Sequence, residues 1–378
     1  MNNQSKNTAD IFNQLFLIEN NWQNVLYIHS PFCLRKCHYC IYGSRVPSSM
    51  EELENFFHKI ISEQIERYKP VLENAVFDQV YFGGGTPTIT DAGTLESVYR
   101  RIPRFRDIPV RATEVSPYTV TDEHLQLFHE YGFSYVSMGV QTLDKRVLEK
   151  ENRLAVNNEK LNYLCRRLDE YGTISNVDLI FFLDTGEITD LEITRRDLET
   201  MMGSIRPVSM TLYTNYRVPK SFENRKGTIR LVREMLGKYP EYRCINSALD
   251  ESETEVRYEM ENSVEYRLMR TKQDFEFYML QKVPQIHPYG YNMLAIGEYM
   301  NFKPRYNYYY ILDFIDKYMW KDCFQRARDL DFGFEETRKQ LGLPYRNFRE
   351  NNKFFIDETG KEKFKDVIKQ AGYPYYEF

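Results

Sequence analysis

The chain has 378 residues, with 50 Lys plus Arg against 55 Asp plus Glu and a net charge of −5. An apolar share of 42% beside 28% charged residues belongs to a folded globular chain of one large or two ordinary domains, and the absence of a basic excess argues against a general nucleic-acid binder. No apolar run reaches the ~18–20 residues of a membrane span, the polar MNNQSKNTAD start lacks a signal-peptide core, and six cysteines are too few for a disulfide scaffold, so a reducing cytoplasm is the expected setting.

Residues 1–23 read as a lead-in helix. Strands are predicted at VLYIHS (25–30), QVYFGG (79–84), RATEVS (111–116), YVSMGV (135–140), VDLIFF (177–182) and SMTLYTN (209–215), each rich in β-branched or aromatic residues and bounded by turn signals. Helices are predicted near 50–69, 91–102, 121–131, 157–171 and 188–203. Met50, Leu53, Phe57, Ile60, Ile61 and Ile65 recur at helical spacing in the first. Thr121 followed by His124 supplies half of a capping box for the third. Strands alternating with helices imply a parallel sheet with right-handed crossovers. The expected fold class is therefore α/β, a partial (β/α)6 TIM-type barrel over 24–220. A smaller, mostly helical C-terminal lobe is expected over 221–378.

FCLRKCHYC places Cys33, Cys37 and Cys40 in a C-x3-C-x2-C array directly after the first strand. That is the end of a barrel strand at which chemistry occurs. Three thiolates so close in sequence can hold one compact inorganic centre. Zinc would need a fourth ligand, for which His29 and His38 are the nearest candidates. A four-iron cluster held by three cysteines leaves one iron open for a ligand. Inert thiols are the third alternative. Cys165, Cys244 and Cys323 are scattered singly and read as structural.

Gly83, Gly84 and Gly85 follow the second strand, where glycine lets the backbone approach a ligand closely; a tight turn fixed by Thr86 and Pro87 is the plainer explanation. Glu114 and Gln141 end the third and fourth strands. Asp178 lies within the apolar fifth strand, and a carboxylate buried there is costly without a partner. A ribose hydroxyl or ligand amine would offset that cost at Glu114. For Arg153 and Asp178 the plainer alternative is a buried ion pair with each other.

The array after a first barrel strand, within LYIHSPFCLRKCHYCIY, resembles the radical S-adenosylmethionine (SAM) enzymes, and among them the HemN-like subgroup of oxygen-independent coproporphyrinogen III oxidase. The resemblance continues through VYFGGGTPT (80–88), TEVSPYTVTDEHLQLFHEYGFSYVSMGVQTLD (113–144), Asn152-Arg153 and NVDLI (176–180), and covers about residues 24–220. It implies a [4Fe-4S] cluster on Cys33, Cys37 and Cys40, and a SAM molecule contacted by Tyr27, Tyr39, Gly84 and Glu114. Tyr27 joins the three cysteines as a catalytic candidate. It further implies a second SAM held by Gly85, Thr86, Gln141, Arg153 and Asp178, with Tyr216 and Asn301 as weaker matches. A low-potential electron donor such as flavodoxin or ferredoxin would be a partner; neither nucleic acid nor membrane is expected.

Several features depart from that pattern. Tyr42 stands where porphyrinogen-oxidising relatives carry a further cysteine. The His-Asn…Tyr-Trp segment of haem chaperones has no counterpart. FFLDTGE (181–187) replaces Gly-Leu-Pro-Gly, and AIGEY (295–299) replaces Gly-Leu-Gly-Ala-Gly. The SAM half is retained while the substrate half diverges. The expectation drawn from this is transfer of a methyl-derived carbon from the second SAM, as C-methylation or cyclopropanation of a ribosomal peptide or small natural product. The alternative is a tetrapyrrole-modifying enzyme, coproporphyrinogen oxidase-like or haem-degrading, with a haem chaperone behind it.

Overall fold

A computed structural model describes residues 23–40, 44–183, 191–215, 217, 222–244, 264–270 and 291–297. The expected N-terminal helix, Tyr42, Tyr216, Asn301 and most of the expected C-terminal lobe lie outside these residues. Among the described residues, nine strands form one sheet in the order β7-β8-β6-β5-β4-β3-β2-β1-β9. Its centre is β1 (Gln23–Ser30), β2 (Gln79–Gly84), β3 (Val110–Val115), β4 (Tyr135–Gln141), β5 (Ile174–Phe181) and β6 (Ser209–Thr214). These six pair in parallel, each with its sequence neighbour. Parallel pairing puts all six C-terminal ends on one rim, which makes the partial barrel a scaffold for a site there.

Beyond residue 220 the sheet continues. A helix, Phe222–Lys238, is followed by β7 (Tyr242–Cys244) and β8 (Val264–Arg270), which pairs antiparallel with β6. β9 (Tyr291–Gly297) returns to pair in parallel with β1. Gly297 explains how it fits: at φ +126 a Cβ there would lie 2.1 Å from the His29 carbonyl oxygen. The buried Gln64 amide both donates to the Gly297 carbonyl and accepts from its N–H, so a side chain of the first helix completes the end of that strand. The glycine of AIGEY therefore serves backbone packing against β1.

The helices follow their sequence signals, with additions: Lys145–Lys150 is a further short helix, Lys69–Asn74 extends the first, and Met201–Ile205 is a π-helical turn. Met50–Asn55 and Ile61–Arg67 are joined by a π-helical turn, Phe56–Ile60. The extra residue lets Phe56 and Phe57 both enter the core while Met50 stays 68% exposed. Ser49 caps the start by accepting from the Glu52 N–H. At Asp122–Glu130 the half capping box is whole: His124 Nδ1 accepts from the Thr121 N–H, and its Nε2 lies 2.8 Å from the Thr90 carbonyl. That pair of bonds assigns the proton to Nε2. Burial holds the ring below its ordinary pKa, in keeping with a neutral imidazole. Cys165 is buried on the inner side of Asn158–Glu170, and burial pushes its thiol up to about 12, which fits the structural part read for it.

Candidate active site

Period-2 alternation sends one side of each strand into the barrel. The inward residues are unusually polar. Tyr27 Oη lies 3.0 Å from His29 Nδ1, and the Tyr27 and Tyr81 rings stack at 6.1 Å. Tyr81 Oη donates to Glu114 at 2.9 Å. Asn176 donates to Asp178 and to Ser137, Ser137 donates to Asp178 at 2.8 Å, and Thr211 donates to Asn176.

Above this layer, one cavity opens at the C-terminal rim. Cys33, Cys37, Tyr39, Cys40, Gly84, Gly85, Thr86, Glu114, Gln141, Arg153 and Asp178 all line it. Eleven residues spread over 146 positions of sequence thus face one space. Tyr27 and Gly83 are absent from its wall: Tyr27 is 4% exposed in the layer beneath, and a Cβ on Gly83 would lie 3.0 Å from the Tyr81 ring and 3.2 Å from the Glu114 carboxyl.

The cysteine loop is tied down at several points. At its base, Cys33 N–H donates to the Arg45 carbonyl and Arg45 N–H to the Pro31 carbonyl. The Arg45 guanidinium lies 4.5 Å above the Phe32 ring and pairs with Glu52. Further along, the loop rests on the turn after β4. His38 N–H donates to the Glu151 carbonyl, His38 Nδ1–H to the Lys150 carbonyl, and Asn152 Nδ2 to the Lys36 carbonyl. Arg153 Nη1 donates to Cys37 Sγ at 3.7 Å, and its Nη2 to the Gly139 carbonyl. Cys33 Sγ lies 3.5 Å from Thr86 Oγ1.

The glycine turn is shaped by contact. Gly84 has φ +101, and a Cβ there would fall 2.5 Å from the His29 ring; at Gly85 it would fall 2.4 Å from the Phe32 carbonyl oxygen. Gly85 and Thr86 N–H groups donate to the Ser30 and Phe32 carbonyls. The turn therefore lies flat against the strand that delivers the cysteines, and glycine is required there by the close approach.

Gln141 ends β4 with φ +74, just past a register shift against β5. That conformation is uncommon for a side-chain-bearing residue, and it sits where strain often marks a functional position. The next residues are anchored from outside. Buried Asp197 accepts from Thr142 Oγ1 at 2.5 Å and from Leu143 N–H at 3.1 Å.

Asp178 and Arg153 form no ion pair with each other. The Asp178 carboxyl is held by Ser137 and Asn176, and Arg153 turns to Cys37 and Gly139, so the structure does not form the ion pair that was the plainer alternative. Burial raises the Asp178 pKa to about 6. Burial likewise raises Glu114 from the usual 4.5 to about 7, opposed by its bonds to Tyr81 and Gly84. A raised carboxyl pKa means the folded state favours the neutral acid. Glu114 thus contributes stability in full below pH 4.5, and that contribution is lost as pH rises through about 7. In the apoprotein, the stability of wild type relative to Glu114→Gln is expected to fall by about 2–3 kcal/mol across that window. Urea midpoints at its two ends measure it; a difference that stays flat or rises with pH contradicts the burial argument.

Sequence reasoning did not find Tyr81, Ser137 or Asn176, nor Tyr213, which also lines the cavity. Strand alternation was the available signal, since each shares parity with an inward neighbour. It also passed over the 150–152 turn and Asp197, whose parts reach the site only through tertiary contact.

The donor set meets the demands of a four-iron cluster. Cys33, Cys37 and Cys40 all line the one cavity, and a single zinc ion would need a fourth ligand beside them. A polynuclear cluster instead seats its thiolates on separate iron atoms. Beside the three cysteines, the Tyr39 hydroxyl is buried without a hydrogen-bond partner, and the Gly84–Gly85 backbone presents a close-contact surface.

Comparison with known proteins bears on this site. Residues 27–198 match the family model described as the Radical SAM superfamily. The heme chaperone HemW of Haemophilus influenzae is 26% identical over 214 residues, 52% of this chain and 54% of that protein. The oxygen-independent coproporphyrinogen III oxidase of Helicobacter pylori (strain J99) is 30% identical over 164 residues, 42% of this chain and 35% of that protein. The matched stretches thus span between about a third and a half of these relatives. Coproporphyrinogen III oxidase (HemN) from Escherichia coli superposes with a TM-score of 0.57 over 76% of this chain and 66% of that one, at 18% identity, which shows a shared fold.

Proposed function

We propose that this chain, whose residues 27–198 match the Radical SAM superfamily model, is a radical SAM enzyme that cleaves SAM reductively to act on a tetrapyrrole. The observation that carries the SAM chemistry is the meeting of two distant motifs: the cysteine loop and the glycine turn bound one cavity, with Cys33 Sγ 3.5 Å from Thr86 Oγ1. When bound, the cluster supplies the electron that breaks the SAM sulfonium bond and the open iron that grips its amino and carboxylate groups. The chain supplies placement. Gly84 and Gly85 give the ligand backbone to lie against, Glu114 offers a carboxyl to ribose hydroxyls or an amine, and Tyr39 closes the loop side. A low-potential flavodoxin or ferredoxin is the proposed donor.

The tetrapyrrole assignment is supported by the curated relatives, a coproporphyrinogen III oxidase and a haem chaperone. The family-model match covers residues 27–198, so substrate handling rests on likeness to those relatives. The carbon-transfer expectation draws no support from those relatives. One geometric observation keeps it as a second reading: Arg153 and Asp178, left unpaired with each other, both line the cavity, as a second SAM with its carboxylate and amine would require.

The two readings separate in one experiment. The full chain, reconstituted anaerobically and reduced, is given SAM deuterated at the methyl group, with and without coproporphyrinogen III or haem. The first reading expects unlabelled 5′-deoxyadenosine whose formation depends on the tetrapyrrole. Deuterium in 5′-deoxyadenosine together with S-adenosylhomocysteine would overturn it in favour of carbon transfer. No 5′-deoxyadenosine under any condition would remove both.

A further inference from the structure

Arg153 has an unusual set of partners. Its guanidinium is partly buried in the cavity wall, and among the described residues no carboxylate pairs with it. It donates to the Gly139 carbonyl and to the sulfur of Cys37 at 3.7 Å. A cation held away from water needs compensating negative charge. Here that charge can come from the Cys37 thiolate, whose sulfur the guanidinium contacts.

The chain holds Arg153 in that position by construction. Lys150 and Glu151 carbonyls accept from His38, and Asn152 donates to the Lys36 carbonyl. Asn152 has φ +53, which turns the chain so that the next residue points back at the loop. Glu151, with a side chain 3% exposed, pairs with Arg217 at 2.7 Å, and Arg217 bonds Asn215 at the end of β6. Gly139 completes the arrangement, since a Cβ there would lie 2.9 Å from the Arg153 guanidinium. One short turn is thus bonded to the cysteine loop on both sides of Cys37 and delivers a positive charge to its sulfur.

We infer that Arg153 is a positioning residue that sets the reduction potential of the cluster, by donating from its guanidinium to the Cys37 sulfur. The inference rests on the cluster assignment and goes beyond it. Reduction adds one electron, taken from the external donor, and makes the cluster and its thiolates more negative. A cation hydrogen-bonded to one thiolate stabilises that reduced form more than the oxidised one and so raises the potential. The same arginine faces the cavity, so the residue expected to bind a ligand anion is also the one that eases electron entry.

The test is a potentiometric titration of the anaerobically reconstituted full chain, followed by the EPR signal of the reduced cluster, with iron content measured alongside. Arg153→Gln is expected to make reduction about tenfold harder, a drop of about 59 mV for a one-electron couple. Arg153→Lys, which keeps the charge and loses the fork, is expected to shift less in the same direction. Asn152→Gly keeps the positive φ while deleting the bond to Lys36, and tests the support should Arg153→Gln lose its cluster; a smaller downward shift is expected. Full iron content with unchanged potentials in these variants overturns the inference. Failure of the wild-type chain to take up four iron atoms would instead overturn the cluster assignment, a separate outcome.

Discussion

Cys37→Ala is expected to leave the anaerobically reconstituted protein without a four-iron EPR or visible spectrum, and to lower 5′-deoxyadenosine formation by at least about a thousandfold, some 4 kcal/mol of barrier. The loss follows from position. Cys37 is buried among Tyr39, Val147 and Leu183, with the Arg153 guanidinium on its sulfur. The other thiols among the described residues lie elsewhere: Cys165 is buried in the core behind the sheet, with its thiol pushed up to about 12, and Cys244 ends β7 at the edge of the sheet. Cys165→Ala is therefore the control. It should cost about 1–3 kcal/mol in unfolding free energy, as a small cavity does, and keep its iron. Far-UV circular dichroism separates loss of the cluster from loss of the fold. A Cys37→Ala protein that retains four iron atoms, or a Cys165→Ala protein that loses them, would show that the metal sits elsewhere.

The second large effect lies in the glycine turn. Gly84→Ala imposes a side chain on a backbone at φ +101 and drives its Cβ to 2.5 Å from the His29 ring. Left-handed strain costs about 1–3 kcal/mol and overpacking about 1–3 more, so a loss of about 2–6 kcal/mol is expected. The melting temperature should fall by roughly 10 °C. Gly172→Ala isolates the backbone part, because Gly172 has φ +69 but nothing within 4 Å of its Cβ; about 1 kcal/mol is expected there. His29 is boxed in at 0% exposure with Tyr27 on its Nδ1, so it cannot step aside. A double-mutant cycle with His29→Ala should recover part of the Gly84→Ala loss, with a coupling of about 1–2 kcal/mol. Costs that add without coupling would show that the ring is not the obstacle.

The two variants also separate levels of the site. Cys37→Ala removes a proposed ligand and leaves the scaffold. Gly84→Ala keeps every proposed ligand and deforms the surface a bound SAM would lie against. Parallel strands explain why both act on one place, since each motif follows its strand at the same end of the barrel.

How much was visible in the linear chain depended on the range of the cause. β2 falls on the residues its β-branched and aromatic run predicts, and the other five central strands lie within three residues of theirs. The cysteine array, the glycine run and the polar residues ending strands were legible as chemistry. The Gly297 packing on β1 was not: Gly297 is 233 positions from the Gln64 that bonds it, and nothing local marks either residue. The π-helical turn at Phe56–Ile60 also escaped notice, because a run of apolar residues satisfies helical spacing with or without one inserted position.

What the sequence by itself determined is local or nearly so: strand and helix types, the order that forces a parallel sheet, and the donor atoms offered at each strand end. Propensity and periodicity act over a few residues, and those signals survive without a fold. Only the tertiary structure decided who meets whom. It turned Arg153 toward Cys37 and gave Asp178 to Ser137 and Asn176, where the chain alone allowed the two to pair. It carried β9 to the outer side of β1. Such choices depend on sheet register and on the cost of leaving a buried polar group unsatisfied, and both are settled only when distant segments share the same space.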